Sequence, residues 1–213
     1  MGFVIAVDGP AASGKGTIAS RLAETFGYPH LDTGLLYRAV GLELVKGGLD
    51  LDDETAAEAA ARILTQDHLT DPELRGAVAG EAASRVAVHP RVRAALIEFQ
   101  QAFAARDPGA VLDGRDIGTV IAPGAQAKLF VTASAEVRAE RRWKQLRQED
   151  GELELSIVLA DILRRDARDA RRDVAPMVMA KGAVLLDTTD MDISAATDAA
   201  RRIVEAARGS SGA

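Results

Sequence analysis

Nine residues near the start of the chain, Gly9-Pro10-Ala11-Ala12-Ser13-Gly14-Lys15-Gly16-Thr17, place two glycines and a lysine in the spacing G-x-x-x-x-G-K. Glycines let successive backbone N–H groups turn toward one centre, which makes a concave anion site at a helix N-terminus. Lys15 adds a point charge suited to the β- and γ-phosphates of a nucleotide. A plain Gly-rich turn with a surface lysine fits the same residues. The context argues against it, because a buried strand runs in and a helix runs out. Serine or threonine usually follows the lysine and holds Mg²⁺. Here Gly16 takes that position and the hydroxyl arrives at Thr17, which suits a phosphate oxygen and leaves Mg²⁺ mostly hydrated.

Arginine is the second signal, since 21 of the 26 basic residues are arginine, the side chain fitted to bidentate phosphate contacts. In Arg164-Arg165-Asp166-Ala167-Arg168-Asp169-Ala170-Arg171-Arg172, helical geometry brings Arg165, Arg168 and Arg172 within an arc of roughly 60°. Asp161/Arg165 and Arg165/Asp169 fit a solvated, ion-paired helix. Arg164/Arg168 and Arg168/Arg172 are like-charge pairs that cost an isolated helix stability. An anion that fills the cluster would account for them. Three scattered histidines (His30, His68, His89) form no metal cluster, and no catalytic role is assigned to His30 or His89.

These residues need a frame to hold them. Phe3–Val7 is an apolar run too short for a helix and reads as a buried strand. Ala110–Leu112, Ala127–Val131 and Ala183–Leu186 read as further strands, and Thr17–Phe26 has helical periodicity. The alternation predicts a parallel sheet with crossover helices. Residues 34–107 are Ala-rich and charged and predict an all-helical insertion. Trp143, with Ala139 and Leu146, fits a helix face packed on the core. Arg147–Leu155 reads as a mobile connection, and residues 209–213 as a disordered tail.

The 213 residues carry a net charge of −6 and no cysteine, which excludes disulfides and thiolate chemistry and disfavours nucleic-acid binding. Asp8 cuts the first apolar run short, so no signal peptide is read, and no run is long enough to span a membrane. A cytoplasmic monomer, free of nucleic acid and membrane, is the expectation.

Three further stretches narrow the reading: His30-Leu31-Asp32-Thr33-Gly34-Leu35-Leu36-Tyr37-Arg38 after the second strand, Asp113-Gly114-Arg115-Asp116-Ile117-Gly118-Thr119 after the third, and the arginine helix. With the phosphate loop, this set closely resembles the bacterial-type cytidylate kinases, from Phe3 to about Ala207. The resemblance implies a P-loop three-layer α/β/α domain with a five-stranded parallel sheet ordered 2-3-1-4-5. It carries a monophosphate-binding insertion at about 34–107 and a lid and arginine arm at about 147–172. The implied reaction moves the ATP γ-phosphoryl group to CMP or dCMP, with Mg²⁺. The family's small antiparallel sheet has no counterpart, because Asp67–Gly80 is too short and strand-poor for it.

By the family pattern, Thr33, Arg38 and Arg115 hold the acceptor phosphate. Ser84, Arg93 and Asp116 read the base. Arg165 and Asp169 contact the sugar, and Arg168 and Arg172 clamp phosphate. Lys15, Arg165, Arg168 and Arg172 form the catalytic set. Asp113 either ends its strand or holds a water on Mg²⁺. Thr33 and Arg38 can face one ligand only if their helix starts near Gly34. Cytosine offers an amino donor and two acceptors, which an acidic acceptor and an arginine fork complement.

A kinase for UMP, dTMP or AMP, and a regulatory ATP-binding module, stay open on these residues. No N-K-x-D guanine motif is present, and no G-x-G-x-x-G follows the first strand.

Overall fold

The computed structural model describes residues 2–65, 67–147, 152–171 and 174–210. Five strands, β1 (Phe3–Asp8), β2 (His30–Asp32), β3 (Gly109–Gly114), β4 (Ala127–Thr132) and β5 (Val184–Asp187), form one parallel sheet ordered β2-β3-β1-β4-β5. The order matches the expectation. β1 is central because both its faces are apolar, and Ile5, Ala6 and Val7 are fully buried. The HLDTG stretch begins inside β2 rather than after it. Asp8 pairs opposite Gly114 and Asp32 opposite Asp113, so the carboxyl ends of β1, β2 and β3 lie together. Ligands of such sheets bind at that edge.

On one face of the sheet, α1 (Lys15–Phe26) and α8 (Ile193–Ser210) pack through Ile18, Leu22, Ala200 and Val204 onto Ile5, Val7 and Leu129. The other face is covered by Phe103 and Ala104 of α5 (Pro90–Ala104), with Ile117 and Ile121 of the turn after β3. α1 starts at Lys15, two residues before the expected Thr17, because Gly14 takes a left-handed φ of 89° and turns the chain directly into the helix. α8 runs to Ser210, so Gly209 and Ser210 close a helix instead of opening a tail; residues 211–213 lie outside the described residues.

The described part of 34–107 is helical, as expected: α2 (Thr33–Lys46), α3 (Glu54–Arg62), α4 (Ala77–Val86) and α5, with short 3₁₀ turns at Asp67–Thr70 and Pro72–Arg75. It has its own apolar centre around Leu36, Val40, Leu44, Val86, Val92 and Leu96. Asp32 caps α2 by accepting from the Gly34 N–H at 2.8 Å, so the helix starts where Thr33 and Arg38 can share a ligand. α6 (Ala135–Leu146) and α7 (Leu155–Ala170) pack through Ala139, Val158 and Ile162, joined by Trp143 as expected. Of the connection read as mobile, residues 148–151 lie outside the described residues. Leu153 is tied down by the Trp143 indole N–H, at 2.7 Å from its carbonyl.

Candidate active site

A cleft of about 580 Å³ opens at the carboxyl edge of the sheet. Residues 11–17 of the phosphate loop line one end. Gly9 and Pro10 do not reach it. Gly9 serves the fold instead, because a Cβ there would stand 2.0 Å from the Val131 carbonyl oxygen. The Lys15 ammonium lies back over the loop, 3.4 Å from the Pro10 carbonyl. Burial, and then Arg115, pull its pKa down to about 8.

Arginines gather across the cleft from that loop. Arg38 of α2 and Arg165 of α7 meet over Gly80 of α4. A Cβ at Gly80 would lie 3.5 Å from one Arg165 nitrogen and 3.8 Å from one of Arg38. Burial, then neighbouring arginines, lower both pKa values to about 10. Burying like charges side by side is costly unless an anion joins them. Arg165 has Asp161 3.9 Å away, and its Nε is buried without a hydrogen-bond partner. Arg115 lines the same space and bonds to the Asp169 carboxylate.

At the end of the cleft formed by α4 and α5, Arg93 is ion-paired with Asp116, both less than a tenth exposed. Arg93 lies over the Tyr37 ring, 5.6 Å from its centroid, and Nη1 stands 3.4 Å from the Ala87 carbonyl. The Ser84 hydroxyl, on the cleft wall, is buried and unpartnered. A carboxylate, a guanidinium and an uncommitted hydroxyl thus share one pocket.

Three carboxylates lie beside the phosphate loop. Asp113, near the end of β3, accepts through Oδ1 from the His30 Nε2–H at 2.8 Å. Its backbone carbonyl accepts from Thr33 Oγ1 at 2.9 Å, and its Oδ2 lies 3.8 Å from where a Gly16 Cβ would stand. Burial, then Asp113, raise the Asp32 pKa. Burial raises Asp8 to about 6, against its two backbone hydrogen bonds. Among the described residues no three or more His, Cys, Asp or Glu side chains form a metal cage.

The sequence expectations therefore converge on one cleft for Lys15, Thr17, Thr33, Arg38, Ser84, Arg93, Asp113, Arg115, Asp116, Arg165 and Asp169. Arg168 is the exception. It pairs with Glu81 of α4 at 2.8 Å and does not line the cleft, because one helical step turns it toward the insertion. Arg172 lies outside the described residues. Residues not singled out from sequence include Asp8, Asp32, Arg138 and Arg141. Arg141 lines the cleft and links the loop to Thr188, bonding to the Ser13 carbonyl at 3.4 Å, Thr188 Oγ1 at 2.9 Å and the Thr188 carbonyl at 2.6 Å. A residue-to-residue ladder between distant segments leaves no local signal; only Asp32 had one, as a capping acid before Thr33.

A parallel sheet of order 2-3-1-4-5 with a phosphate loop at the end of its central strand defines a P-loop phosphotransferase, and the buried arginines opposite call for a second anionic substrate. The family model for cytidylate kinase matches residues 5–207. A cytidylate kinase of Caulobacter vibrioides is 66% identical over 208 residues, covering 98% of each chain. One from Rhodopseudomonas palustris is 53% identical, covering 97% of each. The fold is shared with the crystal structure of a gluconokinase from Sinorhizobium meliloti, at 20% identity and a TM-score of 0.51, over 98% of this chain and 94% of that one. The chain belongs to the cytidylate kinase family.

Proposed function

We propose that the protein transfers the γ-phosphoryl group of ATP to CMP or dCMP, giving CDP or dCDP and ADP. The observation that carries this reading is the buried Arg93–Asp116 pair and the unpartnered Ser84 hydroxyl, which line one cleft with the phosphate loop. Asp116 accepts from the cytosine amino group, and Arg93 donates to the ring acceptors. Arg38, Arg115 and Thr33 hold the acceptor phosphate. Arg165 and Asp169 reach the sugar, and Arg165 and Lys15 neutralise charge during transfer. Arg172 completes this set by the family pattern.

The chemistry asks for position and charge rather than a strong base. An ionised phosphate oxygen of CMP attacks the γ-phosphorus. The bond to the oxygen bridging β and γ breaks, and that oxygen leaves with ADP. Backbone N–H groups of residues 11–17 and the Lys15 ammonium cradle the donor, and the arginines keep the acceptor in line.

Mg²⁺ fits the acidic side of the loop. Asp113 and Asp32 are buried there close enough to disturb one another's charge, and a cation relieves that repulsion. Asp113 and Thr17 would each hold it through water. Few protein ligands suit an ion that keeps its waters and binds mainly to phosphates. When bound, Mg²⁺ neutralises charge on the β- and γ-phosphates.

The 34–107 insertion and the 147–172 arm act as the closing parts of one kinase domain, and closure excludes water from the transferring group. Among the described residues no helix is long and apolar enough to cross a membrane. A cytoplasmic monomer that takes nucleotides as its partners is part of the same proposal. Turnover of CMP with ATP and Mg²⁺, followed by coupled ADP release, tests the reading; absence of turnover would refute it.

A further inference from the structure

Asp8 ends β1 one residue before the phosphate loop, yet it does not line the cleft. Its side chain is buried, and both carboxylate oxygens are used. Oδ1 accepts from the Ile117 N–H at 2.7 Å and Oδ2 from the Gly118 N–H at 2.8 Å. These are the first two N–H groups of a π-helical turn, Ile117–Ile121, that follows Arg115 and Asp116 directly.

The first N–H groups of any helical turn lack partners within it, and an acidic residue at the cap position ordinarily supplies them. Asp116 occupies that position and makes no such bond. Its carboxylate goes to Arg93 instead. The acceptor comes from Asp8, 109 residues earlier in the chain, across the β1–β3 ladder. Gly118 permits the approach, since a Cβ there would stand 3.2 Å from Asp8 Oδ2 and 3.0 Å from the Ala180 Cβ. Two charged groups act on Asp8 from neighbouring elements: Asp116, which repels it, and Lys15, which attracts it.

We infer that Asp8 is a positioning residue for acceptor recognition: by capping the 117–121 turn from another strand, it releases the Asp116 carboxylate to read the base and fixes Arg115 beside the acceptor phosphate. The assignment rests on the cytidylate kinase reading of the cleft. It also joins the two substrate sites physically, because Asp8 leads directly into the phosphate loop.

Asp8→Asn keeps the size of the side chain but offers one acceptor and one donor, so one of the two N–H groups loses its partner. The expected result is a KM for CMP raised tenfold or more, a CMP-over-UMP preference in kcat/KM reduced several-fold, and a KM for ATP changed less than threefold. Equal shifts in both KM values, or unchanged CMP parameters in a folded variant, would overturn the inference. Gly118→Ala presses a methyl group on the same oxygen and should give the same split if the asparagine variant does not fold. In the unaltered protein, residue-resolved hydrogen exchange should find the Ile117 and Gly118 amides protected like those of β3; exchange at the rate of an open loop contradicts the cap. A parent enzyme inactive on CMP would refute the functional reading, while amide exchange would still decide whether Asp8 caps the turn.

Discussion

Arg138 grips Asp166 with both ends of its guanidinium, Nη1 to Oδ1 at 3.0 Å and Nη2 to Oδ2 at 2.6 Å. The same side chain donates from Nε to the Ala133 carbonyl at 2.9 Å and from Nη1 to the Ala11 carbonyl at 3.2 Å. One buried arginine on α6 therefore ties the phosphate loop to α7, the helix that carries Arg165 and Asp169. Arg138→Ala would leave Asp166 without its partner and two carbonyls without their donor. The expected loss is about 3 kcal/mol of stability, measured by urea unfolding followed through Trp143, which sits on the same helix. Asp166→Asn keeps one acceptor and should lose less. Near-equal stability of the alanine variant and the parent would show that the tie is not needed.

Lys15→Met should leave the fold intact and lower kcat by about 10²-fold or more, because it removes charge beside the transferring group and no described side chain replaces it. The loop keeps its shape mainly through backbone geometry, since the ammonium makes one long contact with it, 3.4 Å from the Pro10 carbonyl, and Arg141 stays bonded to the Ser13 carbonyl. Steady-state rates, with a melting curve as control, check this. Activity within about threefold of the parent would remove Lys15 from the site.

The lowered pKa of Lys15 has a directional consequence. With a folded-state value of about 8, the free enzyme has lost most of this proton by pH 8.5. A bound triphosphate favours the charged ammonium and raises the value again, so binding takes up a proton. Calorimetric titration with ATP at pH 8.5 in two buffers of different ionisation heat should show uptake of roughly half a proton or more. In Lys15→Met the uptake should vanish. Release of protons, or equal uptake in the variant, would contradict the assignment.

Selectivity should pass through Asp116. UMP presents O4 where CMP has an amino group, and an N3–H where CMP has an acceptor. A carboxylate facing O4 sets acceptor against acceptor, and Arg93 facing N3–H sets donor against donor. At about 1–3 kcal/mol for each mismatch, UMP should be disfavoured by roughly 10²-fold or more in kcat/KM. Asp116→Asn should narrow that gap, since an amide can present either group, with the larger loss on CMP. An unchanged ratio would mean that Asp116 does not read the base.

How far the sequence foretold this site depends on the range of each interaction. The phosphate loop, four of the five strands and the helical insertion were legible because their signals are local: a glycine spacing, apolar runs and an alanine-rich stretch; the strand order came from the family resemblance. Arg38 and Arg93 were reached through the family pattern, since each alone reads as a surface arginine, whereas Arg165 stood out in the arginine cluster and took its role from that pattern. Asp8 went unnoticed as more than the end of an apolar run, because its partners Ile117 and Gly118 become neighbours only through β1–β3 pairing. Arg138 was hidden among the charges of α6 for the same reason. Helical spacing groups Arg168 with Arg165, and the family pattern adds the phosphate role. Neither shows that α4 places Glu81 within reach.

The cleft moves a phosphoryl group from ATP to cytidine or deoxycytidine monophosphate. The most direct measurement is ADP release, coupled to a spectroscopic readout, with ATP and Mg²⁺ over a panel of CMP, dCMP, UMP, dTMP, AMP and GMP. CMP and dCMP should be the preferred acceptors, with UMP lower by roughly 10²-fold or more in kcat/KM. Equal or faster use of UMP, dTMP or AMP would contradict the account and move the protein's substrate elsewhere among the monophosphates.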